Sequence, residues 1–212
     1  MTFLFVLVGW IFSLCLHEFA HAAVAYVGGD TSVRTKGYLT FNPLRYVDPV
    51  VSLLIPLVFL LLGGIGLPGG AVYIDRSRLR GKLWECAVSL AGPAANLLLA
   101  YVLVLALDSD AVPIGAAPAV AFLALLQVTA VLLNLLPVPP LDGYGAIAPF
   151  LGARLRLAFN RFGAIGLFVL FGVLWLVPPA YNLFWKTTFA LADALGVPLA
   201  LAVQGLRQFK IF

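Results

Sequence analysis

Charge is what this sequence has least of. Charged residues make up 10% of its 212 residues, and hydrophobic residues make up 63%. Soluble domains carry about 25% charged residues, so the composition excludes an ordinary soluble globular protein. At about 20 residues per membrane crossing, five or six apolar segments would occupy most of the chain. The sequence therefore predicts a multi-pass integral membrane protein. We expect one domain over 1–212, with a core over about 1–150 and carboxy-terminal helices over about 163–205.

The low net charge and the small number of cysteines exclude further classes of partner and structure. The net charge is only +4, and no basic stripe carries interleaved aromatic residues, so we expect no nucleic-acid partner. The two cysteines, Cys15 and Cys86, both lie in apolar segments, and we expect them to be buried apolar residues without a disulfide.

Histidine is also scarce, and its placement is informative. The only two histidines, His17 and His21, stand four residues apart, with Glu18 between them, in an H-E-x-x-H motif inside an apolar run. On a helix both imidazoles lie on one face and can bind one metal ion, while Glu18 can take a proton from water beside it. The alternative is a pair of buried histidines bonded to backbone carbonyls. Because ionisable groups are costly within a membrane segment, we interpret the motif as a zinc site.

The amino-terminal run has no basic n-region, and the metal motif lies within it. We therefore expect a retained membrane helix over Thr2 to about Val27 rather than a cleaved signal peptide. Glycine and proline residues, which interrupt helices, divide the rest of the chain into separate apolar segments. We predict an all-α fold with five spanning helices and one re-entrant helix-strand segment. The other four spans are predicted at about Leu83–Leu107, Pro118–Leu136, Gly163–Val177 and Phe184–Val203.

The re-entrant segment is predicted over 49–74. It comprises an apolar run from Pro49 to about Leu62, a glycine-rich piece over 63–70 and a strand over Ala71–Ile74; a second strand-like piece covers Tyr38–Phe41. A re-entrant segment places loops 28–48, 75–82 and 143–162 and the carboxy-terminal tail on one side, which the positive-inside rule makes cytoplasmic. Loops 108–110 and 178–186 then face outward.

A catalytic zinc site needs three protein ligands and an open position, so a third ligand is expected. Asp142 follows a proline-rich break at the end of an apolar span, at the depth of the motif. Asp30, Asp48 and Asp75 lie in polar loops, where solvated charge is ordinary, and Glu85 suits a helix start. Asp142 is therefore the predicted third ligand, with a helix-capping role as the alternative.

Three signatures in order resemble the site-2 protease family of intramembrane zinc metalloproteases. They are His17-Glu18-Phe19-Ala20-His21, then Gly92-Pro93-Ala94-Ala95-Asn96, then the run Asn134–Gly143, which reads NLLPVPPLDG. The chain resembles the compact form of the family, without PDZ or CBS domains.

The resemblance implies His17, His21 and Asp142 as Zn²⁺ ligands, Glu18 as general base, and Asn134 as a contact to the substrate backbone or the transition-state oxyanion. It also implies that a strand at Gly70–Ile74 pairs with an unwound substrate. The expected partners are a transmembrane protein substrate and the lipid bilayer, in a bacterial cell membrane, with the site toward the cytoplasm. The oligomeric state is left open. Two other functions use the same residues: a membrane metal transporter, and a catalytically silent homologue that acts as a scaffold.

Overall fold

The computed structural model describes residues 2–42, 45, 72–109, 111–161 and 163–210. Within these ranges the regular structure is helical. Nine α-helices are named here in chain order: α1 (Thr2–Gly28), α2 (Ser32–Thr35), α3 (Lys82–Asp108), α4 (Ala117–Asn134), α5 (Asp142–Ile147), α6 (Ala153–Arg161), α7 (Gly163–Leu176), α8 (Pro178–Ala194) and α9 (Leu199–Phe209). Two 3₁₀ turns, Arg76–Arg78 and Ala148–Phe150, precede α3 and α6.

Three helices in the described ranges, α1, α3 and α4, are long and apolar enough to cross a membrane. Their bounds agree within a few residues with the first three predicted spans. A bent pair, α6 with Ile165–Leu176 at 70°, would add a fourth. Five spans are therefore not confirmed, and the apolar run 49–62 with the glycine-rich piece 63–70 lies outside the described residues.

The predicted last span, Phe184–Val203, is wrong as a continuous helix. α8 ends at Ala194, and Gly196 adopts a left-handed φ of 84°. The Gly196 amide donates to the Asp193 carbonyl and the Val197 amide to the Ala192 carbonyl, the paired bonds of a Schellman stop. Pro198 then begins the turn into α9. Hydropathy favoured one long helix here, but local glycine and proline chemistry divides it into two.

The two predicted strands are also wrong for the described residues. Tyr38–Phe41 forms bends, and the Phe41 ring stacks on Phe12 and Phe19 of α1 at centroid distances of 5.9 and 4.8 Å. Residues 72–75 have no regular structure. In this stretch backbone groups bond to side chains instead of to a neighbouring strand, as described below, so no ladder forms.

The helix α4 is the centre of the bundle. It is buried along most of its length and packs against α1, α3 and α9. One core cluster joins Ala100 and Val104 of α3 to α4 and α9, and another joins Val6 and Trp10 of α1 to Phe122 of α4 and Phe209 of α9. Many apolar side chains on the outer faces are exposed, as expected where helices meet lipid.

The carboxy-terminal tail lies beside the start of α1. The Thr2 hydroxyl donates to Gln208 Oε1 at 2.8 Å, and the Phe3 and Phe209 rings stack at 5.1 Å. Since α1 rises about 40 Å over its 27 residues, the tail is about a membrane thickness from Gly28. The expectation that the tail shares a side with loop 28–48 is therefore wrong, because α9 turns back along α4 toward the other end of α1.

Candidate metal centre

The second half of α1 brings two imidazoles together. His17 and His21 are 7% and 6% exposed, and their Nε2 atoms are 3.0 Å apart. The opposite ring nitrogens contact oxygen acceptors on α3: His17 Nδ1 lies 3.0 Å from Asn96 Oδ1, and His21 Nδ1 lies 2.6 Å from the Val88 carbonyl oxygen. Because these oxygens only accept, both Nδ1 atoms carry the hydrogen. Both Nε2 lone pairs then face the same point, where a cation offsets their repulsion.

Asp142, the first residue of α5, completes a triangle of donor atoms. Its Oδ2 lies 3.1 Å from His17 Nε2, and its Oδ1 lies 3.3 Å from His21 Nε2. A tetrahedral zinc ion with ligands at about 2.0–2.1 Å spaces them about 3.3–3.4 Å apart. The Asp142 Oδ2 is buried without a hydrogen-bond donor among the described residues. In size and chemistry the three side chains therefore fit one face of a zinc coordination sphere, and these ranges hold no other such cluster.

The electrostatics of Asp142 favour the charged form. Burial raises the pKa of its carboxyl, but the two imidazoles beside it outweigh burial and hold that pKa well below its usual range. An ionised carboxylate is the form that binds a metal ion.

Glycine lets α3 approach the imidazoles. A Cβ atom on Gly92 would lie 2.3 Å from His21 Nε2 and 2.5 Å from His17 Nε2. No other residue fits this position without displacing a histidine. Gly143, next to Asp142, likewise allows a close backbone approach, because a Cβ atom there would lie 2.1 Å from the Leu135 carbonyl oxygen. Close backbone contact thus fixes both sides of the triangle.

Glu18 stands beside the triangle and outside it. The side chain is 5% exposed, and its Oε2 accepts a 3.0 Å hydrogen bond from the Val72 amide. Glu18, His21 and Asp142 line one cavity of about 300 Å³. This arrangement places a carboxylate next to the metal-binding atoms and open to a small molecule.

A second cavity of about 430 Å³ adjoins the first. The two share part of their lining: Arg76, Ser89, Pro140 and Asp142. The space beside the triangle therefore extends past Asp142 toward α6. An elongated molecule could occupy both cavities, one on each side of Asp142.

The other carboxylates have structural partners away from the triangle. Asp30, expected to be solvated, is fully buried: its Oδ1 accepts from the Ser32 amide and hydroxyl, and its Oδ2 accepts from the Asp75 amide. That expectation was wrong because Asp30 fastens residues 72–75 to the end of α1. Hydrogen bonds from Ser77 and Arg78 hold the pKa of the Asp75 carboxyl below its usual value. Asp48 and Asp110 lie outside the described residues.

Glu85 lies in the first turn of α3, as expected, with its Oε2 3.6 Å from Arg76 Nη1. Cys15 and Cys86 form no disulfide.

Asn134 remains a prediction. It is the last residue of α4, is 6% exposed, and accepts or donates no side-chain hydrogen bond within the described ranges. It is not among the residues that line the two cavities beside the triangle.

Three functional positions were not assigned a role from the sequence. They are Asn96, which orients His17, the Val88 carbonyl, which orients His21, and Gly92 between the two. A signal was present, since Gly92 and Asn96 lie four apart on one helix face and a buried amide in an apolar helix needs a partner.

An H-E-x-x-H helix with a third carboxylate ligand and a neighbouring glutamate, held in an apolar bundle, defines the class of zinc metalloproteases. Relatives agree with this class. The chain is 44% identical over 207 residues to a protein of Mycolicibacterium smegmatis that carries the provisional name zinc metalloprotease Rip2, and 45% identical over 209 residues to its Mycobacterium tuberculosis namesake. Each alignment covers 96% of this chain and 79% of the relative.

A more distant relative is Bacillus subtilis YwhC, also provisionally named a zinc metalloprotease. It is 33% identical over 198 residues, covering 87% of this chain and 86% of the relative. No family model and no solved structure matches the chain. The chain belongs to the site-2 protease family of zinc metalloproteases. It is a membrane protein with Zn²⁺ as its metal, and its relatives are bacterial.

Proposed function

We propose that the chain is an intramembrane protease that hydrolyses peptide bonds in or near the transmembrane segments of other membrane proteins. One observation carries this proposal. The His17, His21 and Asp142 donor atoms are spaced like a zinc coordination face, and both histidines lie in α1, a helix apolar enough to cross a bilayer. A soluble peptide would not reach such a site as readily as a neighbouring helix in the same membrane.

In the proposed mechanism His17, His21 and Asp142 hold the zinc ion. Zinc, when bound there, acts as a Lewis acid that lowers the pKa of water to about 7 and polarises a carbonyl. Glu18 accepts the proton of the attacking water and returns it to the leaving amine. The Val72 amide holds one Glu18 oxygen, which leaves the other free for proton transfer.

The stretch Val72–Ile74 is the proposed substrate support. These three residues line the cavity beside Glu18. Lys36 Nζ donates to the Tyr73 carbonyl at 2.7 Å, which holds the stretch in place. The amides of Tyr73 and Ile74 have no acceptor among the described residues. They are suited to pair with an unwound substrate backbone, whose polar groups need partners in a membrane.

The proposed orientation puts the site nearer the cytoplasm. Basic residues cluster around the end of α1 that follows the metal motif. Arg34 and Lys36 come shortly after α1 in the chain, and Arg80, which follows Arg76 and Arg78, donates to the Gly28 carbonyl. The positive-inside rule makes such loops cytoplasmic.

The test is cleavage in purified components. Wild-type protein and Glu18→Gln would be placed in vesicles with a tagged single-span substrate, and cleavage followed by gel and mass spectrometry. We expect wild type to cleave and the variant to fail while both keep equal zinc, because Glu18 serves the water rather than the ion. Chelation followed by zinc addition serves as the control for metal dependence, since it should stop and then restore wild-type cleavage.

Three outcomes would overturn the proposal. Full activity of Glu18→Gln would remove the general base. Zinc flux across the vesicle membrane without cleavage would favour a transporter. Substrate binding without cleavage by the zinc-loaded wild type, across a panel of substrates, would favour a silent scaffold.

A further inference from the structure

A separate cavity of about 510 Å³ lies between α4, α8 and α9, remote from the metal triangle. Its volume is in the usual range for small-molecule sites. It shares no lining residue with the two cavities at the metal centre. Its lining includes Phe122, Leu125 and Leu126 of α4, Trp185 and Lys186 of α8, and Lys210 after α9.

The cavity has an apolar wall and a cationic side. Helix α4 contributes Phe122, Leu125 and Leu126 to the wall, while Lys186 of α8 and Lys210 after α9 supply two ammonium groups. No carboxylate lines the cavity, and neither lysine forms an ion pair with any residue of the described ranges. Two positive charges beside an apolar hollow are complementary to an anionic amphiphile.

Trp185 adds a third donor to this side. Its indole nitrogen is buried and has no acceptor among the residues described, although the ring stacks on Phe189 at 5.5 Å. A buried donor without an acceptor is unfavourable, so a ligand that brings oxygen atoms would satisfy it. The two ammonium groups and the indole N–H are all hydrogen-bond donors.

Membrane topology does not account for these lysines. Lys210 follows Phe209, which stacks on Phe3 at the start of α1, and Lys186 lines the same cavity. Lys210 therefore lies at the end opposite the basic loops around Gly28, whereas Lys186 lies deeper, two residues after Phe184, which packs against Leu133 of α4. The positive-inside rule disfavours Lys210 at that end, and Lys186 lines an apolar cavity without a carboxylate partner, so a ligand is the better reason for the two charges.

We propose that this cavity binds an anionic phospholipid of the surrounding bilayer. Its phosphate would lie between Lys186 and Lys210, with the Trp185 N–H as a further donor and the acyl chain along the α4 wall. Such a lipid would fasten α8 and α9 to the central helix α4. The proposal is independent of the protease mechanism.

The test uses brominated phospholipids, which quench nearby tryptophan fluorescence. Purified full-length protein would be delipidated, placed in vesicles, and compared with brominated phosphatidylglycerol and brominated phosphatidylcholine at equal mole fraction. We expect stronger quenching by phosphatidylglycerol, and we expect Trp185→Phe to remove most of the difference between the two lipids. The remaining tryptophans report general lipid contact.

Charge variants decide whether the lysines recognise the headgroup. Lys186→Gln with Lys210→Gln should abolish the preference for phosphatidylglycerol. Arg207→Gln is the matched control, since it removes one exposed charge from the last turn of α9 without lining the cavity. Thermal unfolding checks that each variant is folded. We expect wild-type stability, because all three side chains are exposed.

Equal quenching by the two lipids would overturn the proposal. So would a preference that survives the double lysine variant, or one that is lost equally in Arg207→Gln. Strong quenching by a brominated fatty acid, with none by phosphatidylglycerol, would assign the cavity to a free acid instead. Exclusion of both lipids by an added transmembrane peptide would assign it to a protein partner.

Discussion

The two ends of the helical bundle are built on opposite principles. At the metal centre, His17 and His21 each have a fixed partner on α3, and Gly92 lets the α3 backbone lie against both rings. In the cavity between α4, α8 and α9, two lysines and an indole N–H have no partners among the described residues. The first arrangement holds both imidazole rings by a contact to each Nδ1 atom. The second leaves donors free beside an apolar hollow.

The difference teaches how each end achieves selectivity. A metal centre depends on ligand geometry. Here close backbone contacts, and a hydrogen bond from the Nδ1 atom of each imidazole, fix that geometry. A lipid site depends on charge and apolar surface and tolerates loose geometry. Substitutions that shift atoms slightly should therefore matter greatly at the metal centre and little at the other end.

The largest effect is expected for Asp142→Ala. It removes one of three ligands, so purified protein should fall from about one zinc per chain to nearly none. Metal analysis by mass spectrometry measures this. Asp108→Asn, which changes an exposed carboxylate at the end of α3, is the control and should keep its zinc. Unchanged zinc in Asp142→Ala would remove this residue from the ligand set.

Next comes Asn134→Ala. If the amide stabilises the oxyanion, cleavage should fall by about 10²–10³-fold. Zinc content and the melting temperature should stay near the wild-type values. Normal cleavage, or a loss that follows stability alone, would make the amide structural and would confine the catalytic groups to the cavities beside Asp142.

A smaller loss is expected for Gly92→Ala. The added methyl group must push the imidazoles away from α3, and a misplacement of about 1 Å can cost about 10²-fold in rate. Gly172→Ala in α7 is the matched control, because its Cβ would meet nothing within 4 Å. Both variants would be assayed for zinc, cleavage and thermal unfolding. Equal behaviour of the two would break the contrast drawn between the ends of the bundle.

The smallest of these effects is expected for Asn96→Ala. Loss of the hydrogen bond to His17 Nδ1 should weaken zinc binding by about 10–100-fold without unfolding the bundle. Competition with a chelator of known affinity measures the change. Asn96→Asp keeps the acceptor oxygen and should recover most of the affinity, whereas a purely structural role would show the same loss in both variants.

Sequence reasoning reached the metal residues because their signal is local or strongly constrained. His17, Glu18 and His21 share one turn of one helix, and Asp142 follows a proline-rich break. The partner of His17 was harder to find, since Asn96 is 79 positions away and its role depends on how α1 crosses α3. The first three spans were predictable from length and hydropathy alone.

Other failures have the same physical origin. The break at Gly196 and Pro198 was visible as a glycine-proline signal, but the apolar composition on both sides outweighed it. The position of the tail depends on that turn, because a chain reversed at Val197 ends beside Thr2. Asp30 looked solvated because its acceptor role requires residues 72–75 to fold back on it, and no local pattern shows this.

The facing Nε2 lone pairs of His17 and His21 also tie the metal to assembly of the bundle. The ligands come from α1 and from the segment that follows α4, so a bound ion closes a long loop and restricts the unfolded chain as a crosslink would. Any ligand that binds only the folded chain raises its free energy of unfolding by RT ln(1 + [L]/Kd). For the same reason the centre can form only after α1, α3 and α4 have met, so an inserted chain gains its hydrolytic chemistry only once its bundle is complete.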